Sequence, residues 1–302
     1  MHKPKVSIIV PNYNHAAFLQ QRLDSIFNQT FQDFEVILLD DCSTDNSVEL
    51  LKSYATNKQV SNFIVNKTNS GSPFKQWKKG LDLAKGTFIW IAESDDFCKL
   101  TFLEKAIAKM ELKDTIGLVY ARSNKVDEFN NFTENFWADN MSPTRWKKDF
   151  TAKGTDEIRN FLKFRNTIPN ASACIFKKEC IINGNIILDF KYTGDWVFWI
   201  QILSNTDVFY ISETLNHFRY HKNSTRSIKD KQQEINRFIE YAKSINIANV
   251  LLSLNDDYYN SAYNWIYHQL KTNKITMIDI LFNFANLKVF LIPYFKYLYL
   301  KS

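Results

Sequence analysis

Apolar and polar positions are grouped in blocks through the first hundred residues. Val6 to Val10 (VSIIV) is a short β-branched run without period-two alternation, which predicts a strand buried on both faces. Ala16 to Asn28 then carries Phe18, Leu19, Leu23, Ile26 and Phe27 at helical spacing. Phe34 to Leu39 (FEVILL) is a second buried strand. The cluster Ser43-Thr44-Asp45-Asn46 supplies capping residues ahead of a helix over Ser47 to Tyr54. Asn62 to Val65 reads as a third strand, Phe74 to Ala84 as a helix, Thr87 to Ala92 as a strand and Phe102 to Met110 as a helix. Continuous apolar strands separated by helices predict an α/β fold with a mostly parallel sheet covered on both faces.

The pattern then loosens. Asn124 to Lys153 (including FNNFTENFWADNMSPTRWKKDF) mixes polar and aromatic residues and reads as an irregular region or mobile loop. Ala171 to Phe176 (ASACIF) resembles a strand. Thr193-Gly194-Asp195 opens an aromatic helix from Trp196 to Leu203, and Val208 to Ile211 is a last short strand ahead of HFRYH. From Lys229 the pattern is helical. The tail IDILFNFANLKVFLIPYFKYLYLKS, with Lys288, Lys296 and Lys301 among aromatics and leucines, suits either an anionic membrane interface or an ordinary packed terminal helix.

Ligands of open α/β sheets bind beyond the carboxyl ends of the strands. Polar groups gather at those ends: Pro11-Asn12-Tyr13-Asn14 after the first strand, Asp40-Asp41 after the second, and Glu93-Ser94-Asp95-Asp96 after the strand ending IWIA. Three carboxylates in four residues repel one another. A divalent cation with a preference for oxygen, Mg²⁺ or Mn²⁺, together with a diphosphate, accounts for such a cluster. A helix cap accounts for one acid of it.

Composition narrows the classes. The 302 residues are 45% hydrophobic and 15% aromatic, which excludes wholesale disorder. A net charge of +6 falls short of a nucleic-acid footprint; it suits an anionic membrane surface, a phosphorylated substrate or an ordinary solvated surface. Cys42, Cys98, Cys174 and Cys180 form no CxxC pair, so reduced thiols in a cytoplasm are expected. The N-terminal apolar run is too short for a signal peptide, and no segment reaches the ~18 apolar residues of a spanning helix. GxSxG, GxxxxGK[ST] and GxGxxG are all absent, against hydrolase, kinase and dehydrogenase readings.

The ordered set VSIIVPNYNHAAFLQQRLDSIFNQTFQDFEVILLDDCSTDNS and AKGTFIWIAESDD resembles the family 2 glycosyltransferases, over about Lys5 to Met110 and again over Ile168 to Ser227. The resemblance implies a GT-A fold: a Rossmann-like, mostly parallel sheet flanked by helices over residues 1–227, with 1–110 as nucleotide-sugar half, 111–227 as acceptor half and 228–302 as a helical C-terminal extension. It implies an inverting, metal-dependent transferase (Mn²⁺ or Mg²⁺) taking a sugar from a nucleotide-sugar, UDP foremost, to a glycan or lipid-linked glycan in bacterial surface-polysaccharide synthesis. The setting would be cytoplasmic, peripheral on the inner face of the membrane.

Residue by residue, the resemblance puts Pro11 and Tyr13 beside the base and Asp40 on its ring N–H. Glu93-Ser94-Asp95 stands at the family's Asp-x-Asp position, with Glu93 near the ribose or a metal-bound water, Asp95 on the metal and Asp96 able to share either role. Lys75 is the cation nearest the family's Arg-Asn pair. His221 corresponds to a histidine that some members place on the metal or diphosphate, and Arg219 and Arg226 are further phosphate candidates. Inverting transfer needs one base for the acceptor hydroxyl, and a carboxylate among hydrophobic walls suits that task. Thr193-Gly194-Asp195-Trp196 matches the family's acidic motif, with Gly194 where Glu is common, and makes Asp195 that base; Asp195 is equally suited to capping its helix. Two other classes use the same acids: a metal-dependent phosphatase or nucleotidyltransferase, and a non-catalytic nucleotide- or glycan-binding homologue.

Overall fold

The structure is a computed structural model and describes residues 3–134, 139, 141–142, 144–163, 165–221 and 230–253. In chain order the elements are β1 (Val6–Asn12), α1 (Ala16–Phe27), β2 (Phe34–Asp40), α2 (Ser47–Tyr54), β3 (Val60–Val65), α3 (Pro73–Leu83), β4 (Phe88–Ile91), β5 (Phe97–Cys98) and α4 (Phe102–Met110). There follow β6 (Ile116–Val126), β7 (Phe132–Glu134), β8 (Phe150–Lys153) and the one-turn α5 (Gly154–Glu157), which runs on as a π-helical turn over Ile158–Leu162. The last are β9 (Cys174–Lys177), α6 (Gly194–Leu203), β10 (Asp207–Arg219) and α7 (Lys231–Leu252).

The described strands form one sheet in the order β3-β2-β1-β4-β9-β6-β10-β5, with β7 beside β6 and β8 beside β10. β1 is parallel to β2 and β4, β2 to β3, and β6 to β10. β9 alone reverses direction between β4 and β6. Two reversals restore the original sense, so β1 to β4, β6 and β10 all end on the same edge. Because β9 runs the other way, the segment entering it, residues 166–173, reaches that edge too.

Alternate residues of each central strand serve opposite cores. Ile9, Ile37, Leu39, Ile89 and Ile91 pack with α3, α6 and α7, whereas Ile8, Val10, Val36, Leu38 and Trp90 pack with α1 and α4. Burial on both faces is the physical reason these strands read as unbroken apolar runs. The first part of the C-terminal region joins the same body: Ile235, Phe238, Ala242, Ile245 and Ala248 of α7 are core residues.

Two expectations need correction. Residues 124–153 are not simply an irregular loop: they hold the end of β6, its hairpin to β7, and β8 paired with β10. Trp146 within them is wholly buried, its Nε1 donating to the Tyr120 hydroxyl at 3.0 Å. The last strand does not stop at Ile211 but continues to Arg219, so His217 and Phe218 belong to the sheet. Register shifts between Ile211 and Asn216 break its apolar pattern at that point. Among the described residues no helix is long and apolar enough to cross a membrane; the tail from Ile278 to Ser302 lies outside them.

Candidate active site

The shared strand edge opens into a cleft of about 770 Å³, a normal size for a small-molecule site. Pro11, Tyr13 and His15 enter from the end of β1, Asp41 from β2, and Glu93 to Asp96 from β4. Asn166 and Asn170 come from the approach to β9, and Asp195 from the first turn of α6.

The acidic turn after β4 is held by specific partners. Glu93 accepts from Trp77 Nε1 at 2.8 Å through Oε1, and its backbone N–H donates to Ser172 Oγ at 3.1 Å. Asp96 accepts from Asn170 Nδ2 and from the Arg219 backbone N–H. Asp95 Oδ2 lies 3.1 Å from His221 Nε2. Burial, then the charge of Asp95, pushes Glu93 up to about 8 and Asp96 up to about 7. Burial also raises Asp95, but His15 and His221 outweigh it and hold that carboxyl below the usual range. Burial and like charge therefore disfavour the ionised forms of Glu93 and Asp96, whereas the two histidines favour that of Asp95. The wholly buried Arg22 guanidinium, 4.8 Å from the Trp90 ring, adds positive charge beneath Glu93 and Asp96.

His15 is a residue that sequence reading missed. Its Nδ1 lies 2.7 Å from Ser94 Oγ, and its ring meets that of His221 edge-on at 5.2 Å. One ligand atom from each of His15, Asp95 and His221 falls within 4.8 Å of the others. Two imidazoles and one carboxylate form a donor set that fits a divalent cation, and Ser94 would orient the His15 ring from behind. The only sequence signal was a histidine placed directly after a strand-end polar turn.

Asp195 sits in the first turn of α6, half-buried. Asn166 Nδ2 donates to its Oδ2 at 2.9 Å and the Trp196 backbone N–H to its Oδ1 at 2.8 Å. A Cβ on Gly194 would lie 2.8–2.9 Å from the Phe74 ring, so any side chain there requires that ring to shift. That contact explains glycine where the resemblance leads one to expect glutamate.

Other expected residues fall elsewhere. Asp40 is wholly buried and does not line the cleft: Asn12 Nδ2, the Ser43 N–H and Ser43 Oγ all donate to it, which closes the turn after β2. Its neighbour Asp41 is the acid presented at that end, held by Asn66, Ser70 and Gln76. Lys75 does not reach the cleft; it is exposed on the outer side of α3, and its Nζ donates to the Ser70 carbonyl at 2.9 Å. Arg219 is buried and spends its guanidinium on the Asp95 and Asp127 carbonyls and on Gln21 and Asn130. Arg226 lies outside the described residues. Glu240 of α7, also unforeseen, accepts from the backbone N–H groups of Lys191, Tyr192 and Thr193 at 2.7, 2.7 and 2.9 Å, just ahead of Asp195.

The family model described as Glycosyl transferase family 2 matches residues 7–179, more than half of the chain. The chain belongs to the family 2 glycosyltransferases. An uncharacterised glycosyltransferase of Haemophilus influenzae is 26% identical over 284 residues, covering 90% of this chain and 83% of that protein. The GalNAc(5)-diNAcBac-PP-undecaprenol beta-1,3-glucosyltransferase of Campylobacter jejuni is 22% identical over 296 residues, covering 95% and 90%. Among solved structures, S. aureus TarS 1–349 in complex with UDP-GlcNAc superposes with a TM-score of 0.66 at 18% identity, covering 91% of this chain and 77% of that one. The likeness establishes the GT-A fold of this glycosyltransferase. The family match stops before Asp195, His221 and Glu240, whose places rest on the geometry above.

Proposed function

We propose that this glycosyltransferase moves one sugar, with inversion, from a UDP-sugar to a glycan or lipid-linked glycan acceptor of a bacterial surface polysaccharide. The observation that carries the reading is the presence, in one cleft, of Asp195 held by Asn166 and of His15 and Asp95, which cluster with the buried His221 behind them. Support for UDP comes from TarS, solved with UDP and with UDP-GlcNAc, and for a lipid-linked acceptor from the name of the Campylobacter relative.

Pro11, Tyr13 and Asp41 face the nucleotide base, with Glu93 and Ser94 behind the ribose and diphosphate. Asp95, His221 and His15 would hold a divalent cation, which when bound would neutralise charge growing on the departing diphosphate. Imidazole donors favour Mn²⁺ over Mg²⁺, which prefers an all-oxygen shell. The Asp195 carboxylate takes the acceptor hydroxyl proton as that oxygen bonds to the anomeric carbon, while the bond from that carbon to the diphosphate oxygen breaks on the opposite face. Single in-line displacement inverts the centre. Trp196 walls the base, and its Nε1 is anchored on the Leu162 carbonyl at 2.8 Å.

Residues 1–227 form the transferase unit together with α7, which packs on its core, with the donor site drawn mainly from 1–110 and the acceptor side from 111–227 and α7. Four free cysteines, two of them buried, support a cytoplasmic setting; docking on the inner membrane face would fall to the region beyond α7. The test is thermal stabilisation by a nucleotide panel with Mn²⁺ or with EDTA, followed by Asp195→Asn. Stabilisation by UDP only with Mn²⁺, and a turnover loss of ~10²–10⁴ in the variant at unchanged UDP affinity, are expected. A chain that no nucleoside diphosphate stabilises, or an Asp195→Asn variant that turns over normally, sinks the reading.

A further inference from the structure

Charge in the cleft is segregated. The acids Asp41, Glu93, Asp95 and Asp96 stand at the ends of β2 and β4. The opposite wall, built by the approach to β9, the loop before α6 and the first half of α7, carries Arg165, Lys191 and Arg237, with Asp195 its one acid among the cleft-lining residues. Arg237 pairs with Glu234 at 3.8 Å and lies over the Phe238 and Tyr241 rings, but its Nε is buried without a hydrogen-bond partner among the described residues. Lys191 is fixed from behind, because Glu240 takes its backbone N–H, while its side chain stays exposed. An anionic ligand would find complementary charge along this wall, which a neutral glycan would leave unused. Guanidinium forks match phosphate oxygens bidentately.

We propose that Arg165, Lys191 and Arg237 form an anion subsite for a phosphate carried by the acceptor, so that the substrate class is a phosphorylated glycan carrier rather than a neutral sugar chain. The proposal rests on the acceptor side of the function above. The phosphate has two chemical sources, a polyol-phosphodiester repeat or a lipid-linked diphosphate, and the tryptophan and tyrosine rings beside the cations, Trp196, Tyr192 and Tyr241, suit the sugar next to it.

The experiment uses the full chain with UDP and Mn²⁺ saturating the donor site. Calorimetric affinities are measured for two probes, oligo(glycerol phosphate) and farnesyl diphosphate, on the wild type and on Arg237→Gln, Lys191→Gln and Arg165→Gln. One probe should bind, its identity naming the phosphate source. Each substitution should weaken it by roughly tenfold, the worth of one charge-assisted contact, with UDP affinity moving less than twofold. The proposal is overturned if neither probe binds the wild type at millimolar concentration, or if the variants bind it as well as the wild type. It is equally overturned if UDP weakens in parallel, for the cations would then serve the donor diphosphate. Failure of UDP to bind the wild type would instead strike the donor reading; the probe titrations, repeated without nucleotide or metal, still decide this proposal separately.

Discussion

Glu240 is the most informative single residue to remove, because it ties the C-terminal helix to the segment that presents Asp195. Its carboxylate, 8% exposed, takes three consecutive backbone N–H groups and lies 3.4 Å from Thr193 Oγ1. Thr193 is further held by Ser244, one turn along α7. Hydrogen bonds to a charged acceptor contribute about 1.5–3 kcal/mol each, and a buried donor left bare costs about 1–3 kcal/mol. Lys191 is exposed and can turn to water, so its share is small. Tyr192 and Thr193 then set the loss in Glu240→Ala at roughly 3–5 kcal/mol, the range for breaking a buried charged contact. At about 2–4 °C per kcal/mol in large domains, the melting point should fall by ~6 °C or more. Glu240→Gln keeps one carbonyl acceptor and should lose about half as much. The functional readout separates clamping from mere packing. Measured well below either melting point, Glu240→Gln should lower kcat several-fold with KM for the UDP-sugar unchanged, since the donor residues lie at the other end of the cleft. Amide exchange at Tyr192 and Thr193 should accelerate. A loss under ~1 kcal/mol in Glu240→Ala with amide protection intact would refute the clamp.

Three further outcomes are expected. His15→Ala should weaken Mn²⁺ binding by ~10–100-fold, followed by the free-Mn²⁺ paramagnetic resonance signal, the usual effect of losing a metal-site contact; unchanged affinity removes His15 from the site. Gly194→Ala should destabilise by about 1–3 kcal/mol through overpacking against Phe74, with partial recovery in Gly194→Ala/Phe74→Leu; urea unfolding with no loss would mean that the helix start shifts freely. Trp146→Ala should cost ~3–5 kcal/mol by calorimetric or urea unfolding, since a wholly buried indole with a hydrogen bond to Tyr120 is deleted; a near-neutral result would return residues 141–148 to the class of surface loop.

The parallel half of the sheet was legible because burial on both faces writes each strand as an apolar run and each covering helix as a period of 3.6. The bounds of α2 and α4 agree with the sequence pattern to the residue. Legibility ends where pairing is non-local. β6 starts apolar, but its outer half reads Arg122-Ser123-Asn124-Lys125, and β10 is interrupted by register shifts, so neither has a clean period. Trp146 looked like a loop aromatic because its partner, Tyr120, stands 26 residues back. His15 was invisible for the same reason: it reaches Ser94, 79 residues away, only because β1 and β4 are neighbours in the sheet. Glu240 had no signal at all, since its meaning is the loop it clamps.

That Asp41 and not Asp40 lines the cleft was already legible in the alternation. Successive side chains of a strand point to opposite faces. Val36 and Leu38 belong to the core beneath α1 and α4, so Asp40, two further on and still paired with Asn12, points the same way. There it is consumed by Asn12 and Ser43. Ile37 and Leu39 belong to the core beneath α3 and α6, which places Asp41 on the side where Gln76 and the cleft lie. The same reasoning disposes of Lys75: the buried positions of α3 are Phe74, Gln76, Trp77, Gly80 and Leu81, so a lysine between the first two lies off the inward stripe. Which of the two acids lines the cleft therefore follows from strand parity, once it is known that Gln76 of α3 stands beside it.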